Sequence, residues 1–133
     1  MTDFIWVKDI TKYPEYCVKI FGVKVISKEL GINLFHDDCD EWLLALQGDE
    51  LLGFSGYENT KSSFILKRAY VFENYRRFNI YRKMLELRLE KAKVMNVKVI
   101  TATTTQMSKE EFIKRGFFTL KQYKQYQTYR LIL

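Results

Sequence analysis

The segment with the most evident chemistry joins a β-rich run to a long helical pattern, between Val71 and Leu85. The loop and the first helical turn carry three arginines, Arg76, Arg77 and Arg82. The first turn of a helix has main-chain N–H groups without partners and lies at the positive end of the helix dipole, so it attracts anions. A pyrophosphate group suits such a site. The segment therefore predicts a phosphate-bearing ligand where the helix begins.

The elements around this segment place the site between two strands. Apolar residues at helical spacing predict a helix over Asn79–Met95, ended by Asn96. The residues expected on its buried side are Ile80, Met84, Leu87 and Val94. β-Rich runs predict a strand over Ser63–Phe72 before the helix and another over Val97–Thr103 after it. A strand–helix–strand connection of this kind implies that the two strands pair in parallel.

The rest of the chain reads as a strand, a helical segment, a hairpin, a short helix and two closing strands. Thr11 or Lys12 opens the helical segment, with Pro14 near its first turn. Gly22 is a point where the segment can split, and Gly31 ends it. The other expected elements are a strand at Phe4–Lys8, the hairpin Trp42–Leu46 with Leu51–Tyr57, a helix from the capping residue Ser108 to Gly116, and strands at Phe117–Leu120 and Tyr126–Leu133. The order β, α, β-β-β, α, β, α, β-β is that of an α/β protein, and the length fits one domain over residues 1–133.

The motifs, taken in order, resemble the GNAT family, the GCN-related N-acetyltransferases. That family's signature runs Val-x-x-x-Tyr-Arg-Gly-x-Gly-x-Gly/Ala-x-x-Leu, and Val71, Tyr75, Arg76 and Leu85 stand close to the expected places. The segment 48–54 resembles the family's second and third strands, and the segment 112–117 resembles its Tyr-Glu-Lys-x-Gly-Phe motif. The resemblance implies an α+β fold with a mixed central sheet of six to seven strands flanked by three to four helices.

The resemblance also implies the residues that hold the cofactor, although the loop departs from the family pattern. Arg77 and Asn79 replace the two loop glycines, and Tyr81 replaces the following Gly or Ala. Asn is the best non-glycine residue for a left-handed backbone, so Asn79 is compatible with the loop, whereas Tyr81 either crowds the cofactor or packs into the core. The residues expected to bind the cofactor are Val71, Arg76, Arg77, Phe78, Asn79, Ile80, Tyr81, Arg82 and Thr105. Among them, amides near Val71 would polarise the thioester carbonyl, and Thr105 would contact the pantetheine arm.

The expected catalytic residues are less well defined. The family's usual general acid is a Tyr at the position that Phe112 occupies here, and Phe112 has no proton to give. Tyr123 and Tyr126 are possible substitutes, and each has a structural interpretation as well. Glu58, at a strand end, is a candidate for accepting a proton from the amine, while Glu73 lies in the loop as a solvated charge.

Charge is distributed unevenly along the chain, whose net charge is +6. Residues 28–50 carry seven acids and one base, residues 61–83 carry seven bases and one acid, and five bases but no acid follow Glu111. Such an asymmetry predicts a polyanionic partner, either a phosphate-rich cofactor or nucleic acid, and is also compatible with a solvated face. Lys121–Tyr129 alternates bases and aromatic residues in a way that suits nucleic acid.

Other features bound the protein class. Cys17, Cys39 and His36 lack the spacing of a metal site, so both thiols are expected to be free in a reducing compartment. No run approaches 18 apolar residues, which gives no membrane span, and the N-terminus lacks a signal pattern, so a cytoplasmic location is expected. A monomer and a homodimer formed through Tyr126–Leu133 are both open.

Two functions follow as hypotheses. The first is an acetyl-CoA-dependent N-acetyltransferase in which a primary amine, of a small molecule or a protein, attacks the thioester directly in a ternary complex. The second is a GNAT-fold protein that has lost this reaction and binds nucleic acid or protein through its basic face, or that modifies nucleic acid as the phage Mom-like branch does. The first hypothesis depends on the loop before the long helix.

Overall fold

A computed structural model describes residues 1–105, 109–122 and 126–133. In this part of the chain, seven strands form one sheet in the order β1-β2-β3-β4-β5-β7-β6. The strands are β1 Asp3–Val7, β2 Glu41–Gln47, β3 Glu50–Asn59, β4 Phe64–Val71, β5 Val99–Thr105, β6 Phe118–Gln122 and β7 Tyr126–Ile132. The α-helices are α1 Pro14–Phe21, α2 Lys24–Leu30, α3 Ile80–Val94 and α4 Lys109–Lys114, with 3-10 turns at Ile10–Lys12 and Glu73–Tyr75. The fold class is as the sequence predicted, with seven strands and four helices.

Local residue chemistry explains where the helices begin and end. Pro14 occupies the first turn of α1, where its missing N–H costs nothing. The helical segment splits at Gly22, as predicted, and α2 ends at Gly31 in a left-handed conformation with φ 76°. Gly31 also lies directly against the Tyr126 hydroxyl, which leaves no room for a Cβ. Asn96 follows α3 with φ 57°, which agrees with its predicted role as the terminator.

The sheet lies between two layers of helices because its strands are apolar on both faces. On β2, Trp42 and Leu44 pack in the cluster that contains residues of α1 and α2. Leu43 and Ala45, the alternate residues, pack against Ile80 and Met84 of α3. Successive side chains of a strand point to opposite faces, so this continuous apolar run fills two cores at once.

The buried side of α3 differs from the prediction at its C-terminal end. Val94 is 79% exposed, whereas Arg88 is only 1% exposed. Met84 and Arg88 are four residues apart, so both lie on the face turned toward the sheet, while Val94 has rotated past that face. An arginine in the core position was not predicted.

The two parallel strands separate after a short contact. β4 pairs with β5 in parallel only at Phe64–Leu66 with Ile100–Ala102, which confirms parallel pairing and limits it to three residue pairs. On its other edge, β4 has a register shift against β3 that places Arg68 and Ala69 opposite Ser55. Arg68 has φ 56° in this β-bulge, and a bulge bends the strand that carries it. The strands therefore diverge toward the start of α3.

Candidate functional site

The loop before α3 presents main-chain donors without protein acceptors. Within the described ranges, the amides of Arg77, Asn79, Ile80, Tyr81 and Arg82 donate to no main-chain or side-chain atom. The Phe78 amide is the exception in this stretch, since it donates to the Tyr75 carbonyl at 3.3 Å. Asn79 has φ 58°, the left-handed conformation that the family's glycine would adopt easily. This arrangement is compatible with the predicted anion site, which stays a prediction.

The arginine side chains of this loop have different roles from one another. The Arg76 guanidinium donates to the Val71 carbonyl at 2.8 Å and to Glu29 of α2 at 2.6 Å, and it lies over the Tyr70 ring. The hydrogen bond to Glu29 raises the pKa of Arg76, and burial opposes this effect. This side chain joins α2 to the end of β4. It was predicted to bind phosphate, but in the structure it binds the Val71 carbonyl and the Glu29 carboxylate.

Arg82 and Arg77 lie nearer to the open amides. Arg82 pairs with Glu111 of α4 at 3.2 Å, which places one cation over the helix start. Arg77 is exposed at the turn itself. Ile80 is buried and offers the site its main-chain amide, whereas Phe78 is 65% exposed and its amide already donates to the Tyr75 carbonyl. Arg77 is therefore the side chain best placed to approach an anion bound there.

The end of β4 directs one amide into the gap between the strands. The Phe72 N–H donates to Leu52 of β3 at 3.0 Å. Since alternate residues of a strand direct their main-chain groups to opposite edges, the Val71 N–H points away from β3, toward the gap. Its carbonyl lies on the same edge, where Arg76 binds it. The predicted oxyanion donor is thus directed into the gap.

A cleft of about 170 Å³ occupies the space where β4 and β5 separate. Strand residues form its sides, α3 and α4 close one face, and the end of α2 borders the other. Its lining includes Leu30, Leu66, Tyr81, Arg88, Thr104 and Phe112. The cleft lies beside the helix start with the open amides, so a long ligand can occupy both places.

Two aromatic residues of the cleft bear on proton transfer. Phe112 is 2% exposed, stacks on Tyr129 with centroids 5.2 Å apart, and meets Phe117 edge to face. It offers only a hydrophobic wall, as its chemistry predicts. Tyr81 lines the same cleft from α3, and its phenol lies next to the Arg88 guanidinium. Tyr81 therefore brings a hydroxyl to the cleft that Phe112 lacks.

Arg88 has an unusual environment for a charged residue. Its Nε donates to the Met84 carbonyl at 3.4 Å and its Nη1 to the Gly56 carbonyl at 3.2 Å. Burial lowers the pKa of the guanidinium, and Tyr81 opposes that effect. Sequence reasoning missed this residue, although its spacing of four from Met84 and seven from Tyr81 is a helical signal that was available.

Glu58, Glu73 and Tyr126 are not in the cleft lining. Glu58 forms an ion pair with Lys67 at 3.1 Å, and Glu73 is exposed in the 3-10 turn. Tyr126 begins β7, and its hydroxyl lies against Gly31 on the α2 side of the sheet. Tyr123 lies outside the described residues. The catalytic roles given to Tyr123 and Glu58 stay predictions.

Thr105 and the cysteines complete the predicted set. Thr105 is the last residue of β5 and pairs with Tyr126, and its contact with a pantetheine arm stays a prediction. Both cysteines are free thiols, as predicted. Burial raises the pKa of Cys39 to about 12, so it is protonated and a poor nucleophile near neutral pH.

Within residues 1–105, 109–122 and 126–133, no cluster of three His, Cys, Asp or Glu residues could hold a metal, and no helix is long and apolar enough to cross a membrane.

No protein-family model and no curated protein matches the sequence. Solved structures do match. An acyl-CoA N-acyltransferase from Pseudomonas aeruginosa superposes with a TM-score of 0.79 at 14% identity, over 98% of this chain and 99% of that one. An acetyltransferase from Bacillus subtilis in complex with CoA gives 0.72 at 16% identity, over 100% and 99% of the two chains. A GNAT-family acetyltransferase from Staphylococcus aureus gives 0.71 at 17% identity, over 98% and 99%.

The chain has the GNAT fold. Coverage of almost the whole of both chains means that the sheet, the crossover through α3 and the closing strands all belong to the shared architecture. The GNAT fold was predicted from motif order, and the structure places the open amides and the cleft at the strand-to-helix junction of this fold.

Proposed function

We propose that this protein is an acyl-CoA-dependent N-acyltransferase of the GNAT family. The observation that supports this most strongly is the combination, at one place, of five main-chain amides without acceptors among the described residues and a cleft between diverging strands. The amides suit a pyrophosphate, and the cleft suits the apolar arm and thioester that such a ligand carries. The Bacillus subtilis neighbour was solved with CoA, which fits the same assignment.

The proposed donor lies along α3. Its pyrophosphate accepts hydrogen bonds from the amides of Asn79 to Arg82, with Arg77 adding charge from the turn. Its arm enters the gap between β4 and β5, where the thioester carbonyl meets the N–H of Val71. An amide that is already fixed in the strand stabilises negative charge on that oxygen without reorganisation.

The proposed reaction is direct acyl transfer to a primary amine. The amine nitrogen attacks the thioester carbon, the new C–N bond forms, and the C–S bond breaks as the carbonyl is restored. The sulfur leaves as a thiolate and takes the phenolic proton of Tyr81, and the nitrogen returns its own proton to Tyr81. Tyr81 thus replaces the phenol that Phe112 does not supply. Acetyl-CoA is the simplest donor, and a small molecule or a protein can provide the amine.

CoA binding tests the assignment. We expect millimolar CoA to raise the melting temperature, because a ligand that binds only the folded state stabilises it. Arg77→Glu should reduce the shift by reversing the charge beside the pyrophosphate, whereas Lys93→Glu, an equal charge change at the far end of α3, should preserve it. Absence of any shift with the folded wild-type protein would remove the proposal.

A further inference from the structure

The cleft contains a buried cation without a carboxylate partner. Arg88 is 1% exposed and lines the cleft, and within residues 1–105, 109–122 and 126–133 it forms no ion pair. The six residues outside these ranges include no acid, so the sequence offers no carboxylate there either. Lys67 and Arg68 also line the cleft, but Glu58 and Asp38 pair with them. Arg88 is thus distinguished from its cationic neighbours.

The hydrogen bonds of Arg88 do not compensate for this charge. A guanidinium has five N–H donors. Those of Arg88 meet two main-chain carbonyls, of Met84 and Gly56, at 3.4 and 3.2 Å, and its Nη2 has no acceptor among the described residues. Burial of a charge without an opposite charge is costly, and an apolar residue of the same size would avoid that cost. A guanidinium in this position is most readily explained by a ligand that supplies the missing anion.

The position of Arg88 indicates which part of a ligand it meets. Arg88 is eight residues after Ile80, or about 12 Å along the helix axis at 1.5 Å per residue. A donor whose pyrophosphate is bound at the helix start therefore reaches Arg88 with its opposite end, where the acyl group and the amine come together.

We infer that the cleft binds a carboxylate through Arg88, in addition to the thioester. The inference rests on the proposed acyltransferase function and makes the substrate class more specific. The carboxylate belongs either to an acyl chain that ends in a carboxyl group or to an acceptor that carries one beside its amine. In both cases the planar guanidinium forms two parallel hydrogen bonds with the two carboxylate oxygens.

The donor arm of the test compares acyl groups of different charge. Binding of CoA, acetyl-CoA and succinyl-CoA is measured by calorimetry on the whole protein. If the acyl chain carries the carboxylate, succinyl-CoA binds at least tenfold more tightly than acetyl-CoA, the ratio falls to about one in Arg88→Met, and Lys93→Met leaves it unchanged. Arg88→Lys, which keeps the charge but loses the planar fork, retains only part of the preference.

The acceptor arm compares amines with and without a carboxylate. Transfer rates to alanine and to alaninamide are measured with the donor that binds best. If the acceptor carries the carboxylate, alanine is favoured at least tenfold, and Arg88→Met removes that preference. Either result supports the inference and assigns the source of the carboxylate.

Two further measurements keep the inference separate from the proposed function. Arg88→Met should melt at the wild-type temperature or higher, which shows that it folds. If CoA binds but neither preference depends on Arg88, the carboxylate site is wrong and the acyltransferase proposal stands. If CoA does not bind the folded wild type, both are wrong.

Discussion

Tyr81 and Phe112 face the same cleft from two different helices, and only one of them has a proton to exchange. In the family pattern the phenol stands on the helix that is α4 here. In this chain that position holds a phenylalanine packed between Phe117 and Tyr129, while the phenol comes from the first turn of α3. The Tyr81 phenol lies next to the Arg88 guanidinium of the same helix.

We predict that Tyr81→Phe lowers kcat about 100-fold or more, because it removes the proton donor for the departing thiolate. The KM for the donor should change less than threefold, since the phosphate contacts are main-chain. Free thiol release during acyl transfer measures both quantities.

A second-site variant distinguishes proton transfer from packing. Adding Phe112→Tyr to Tyr81→Phe places a phenol in the same cleft from the neighbouring helix α4, and we expect at least tenfold recovery of kcat. An unchanged kcat in Tyr81→Phe alone would assign the proton to another group.

The location of the site could be predicted from sequence more readily than its side chains. The anion site depends on a helix start, which Asn79 and the apolar spacing after it indicate locally. The roles of the Tyr81 and Arg88 side chains depend on where α3 packs against the diverging strands, and helical spacing alone does not give that position. For the same reason Arg76, a conspicuous cation in the sequence, proved to be bound to Val71 and Glu29.

At the level of elements, the junction between β4 and α3 depends on a residue in the left-handed conformation. Asn79 has φ 58° where the family has glycine, and four of the five open amides belong to Asn79 and the three residues after it. A left-handed backbone costs most residues about 1–2 kcal/mol, while Asn and Gly tolerate it. Asn79 thus permits the turn that exposes the amides.

We expect Asn79→Ala to lower the free energy of unfolding by about 1 kcal/mol and to weaken CoA binding, because alanine disfavours the left-handed turn. Asn79→Gly, which accepts the same φ freely, should keep CoA binding and change the stability by less than about 0.5 kcal/mol. Urea unfolding and CoA titration of the two variants check this. Equal effects of Ala and Gly would show that the Asn side chain, and not its backbone conformation, matters.

The ends of the helices could be predicted where a residue with an unusual backbone preference, such as glycine or asparagine, stands at the boundary. Gly31 and Asn96 each stand at a predicted boundary, whereas α1 begins at Pro14 and not at Thr11 or Lys12 as predicted. The bulge at Arg68 was not predictable, because an arginine carries no preference for φ 56° and the bulge arises from pairing with β3. The closing strands were found, but not their order. β7 lies between β5 and β6, so its main chain is paired on both sides and the free edge there belongs to β6.

At the level of the whole molecule, the acidic and basic segments of the sequence are partners. The acid-rich part of the chain contributes Glu29 and Asp38, which pair with Arg76 and Arg68. Arg82 is paired with Glu111 of α4. The asymmetry along the sequence thus becomes complementarity across the fold, and the basic run presents less positive charge than its composition indicates.

We therefore expect weak binding to nucleic acid, the alternative that the sequence left open. On this argument the logarithm of the affinity for a DNA duplex should fall against the logarithm of the salt concentration with a slope of magnitude below about two. Fluorescence titration of a labelled duplex at several salt concentrations measures the slope. A slope of five or more would indicate many phosphate contacts and would favour the nucleic-acid hypothesis.

Because β4 pairs with β5 over only a short stretch, the sheet resembles two smaller sheets, β1–β4 and β5–β7, joined by that stretch. Beyond Leu66 and Ala102, the facing edges of these strands do not pair with each other, and the Val71 carbonyl on that edge accepts from Arg76 instead. A ligand that contains amide groups can form hydrogen bonds with both strands where they no longer pair with each other. Such a ligand would hold the two parts of the sheet at one angle. The sheet would then be more rigid with this ligand bound than without it, because only three residue pairs join β4 to β5 in the absence of the ligand.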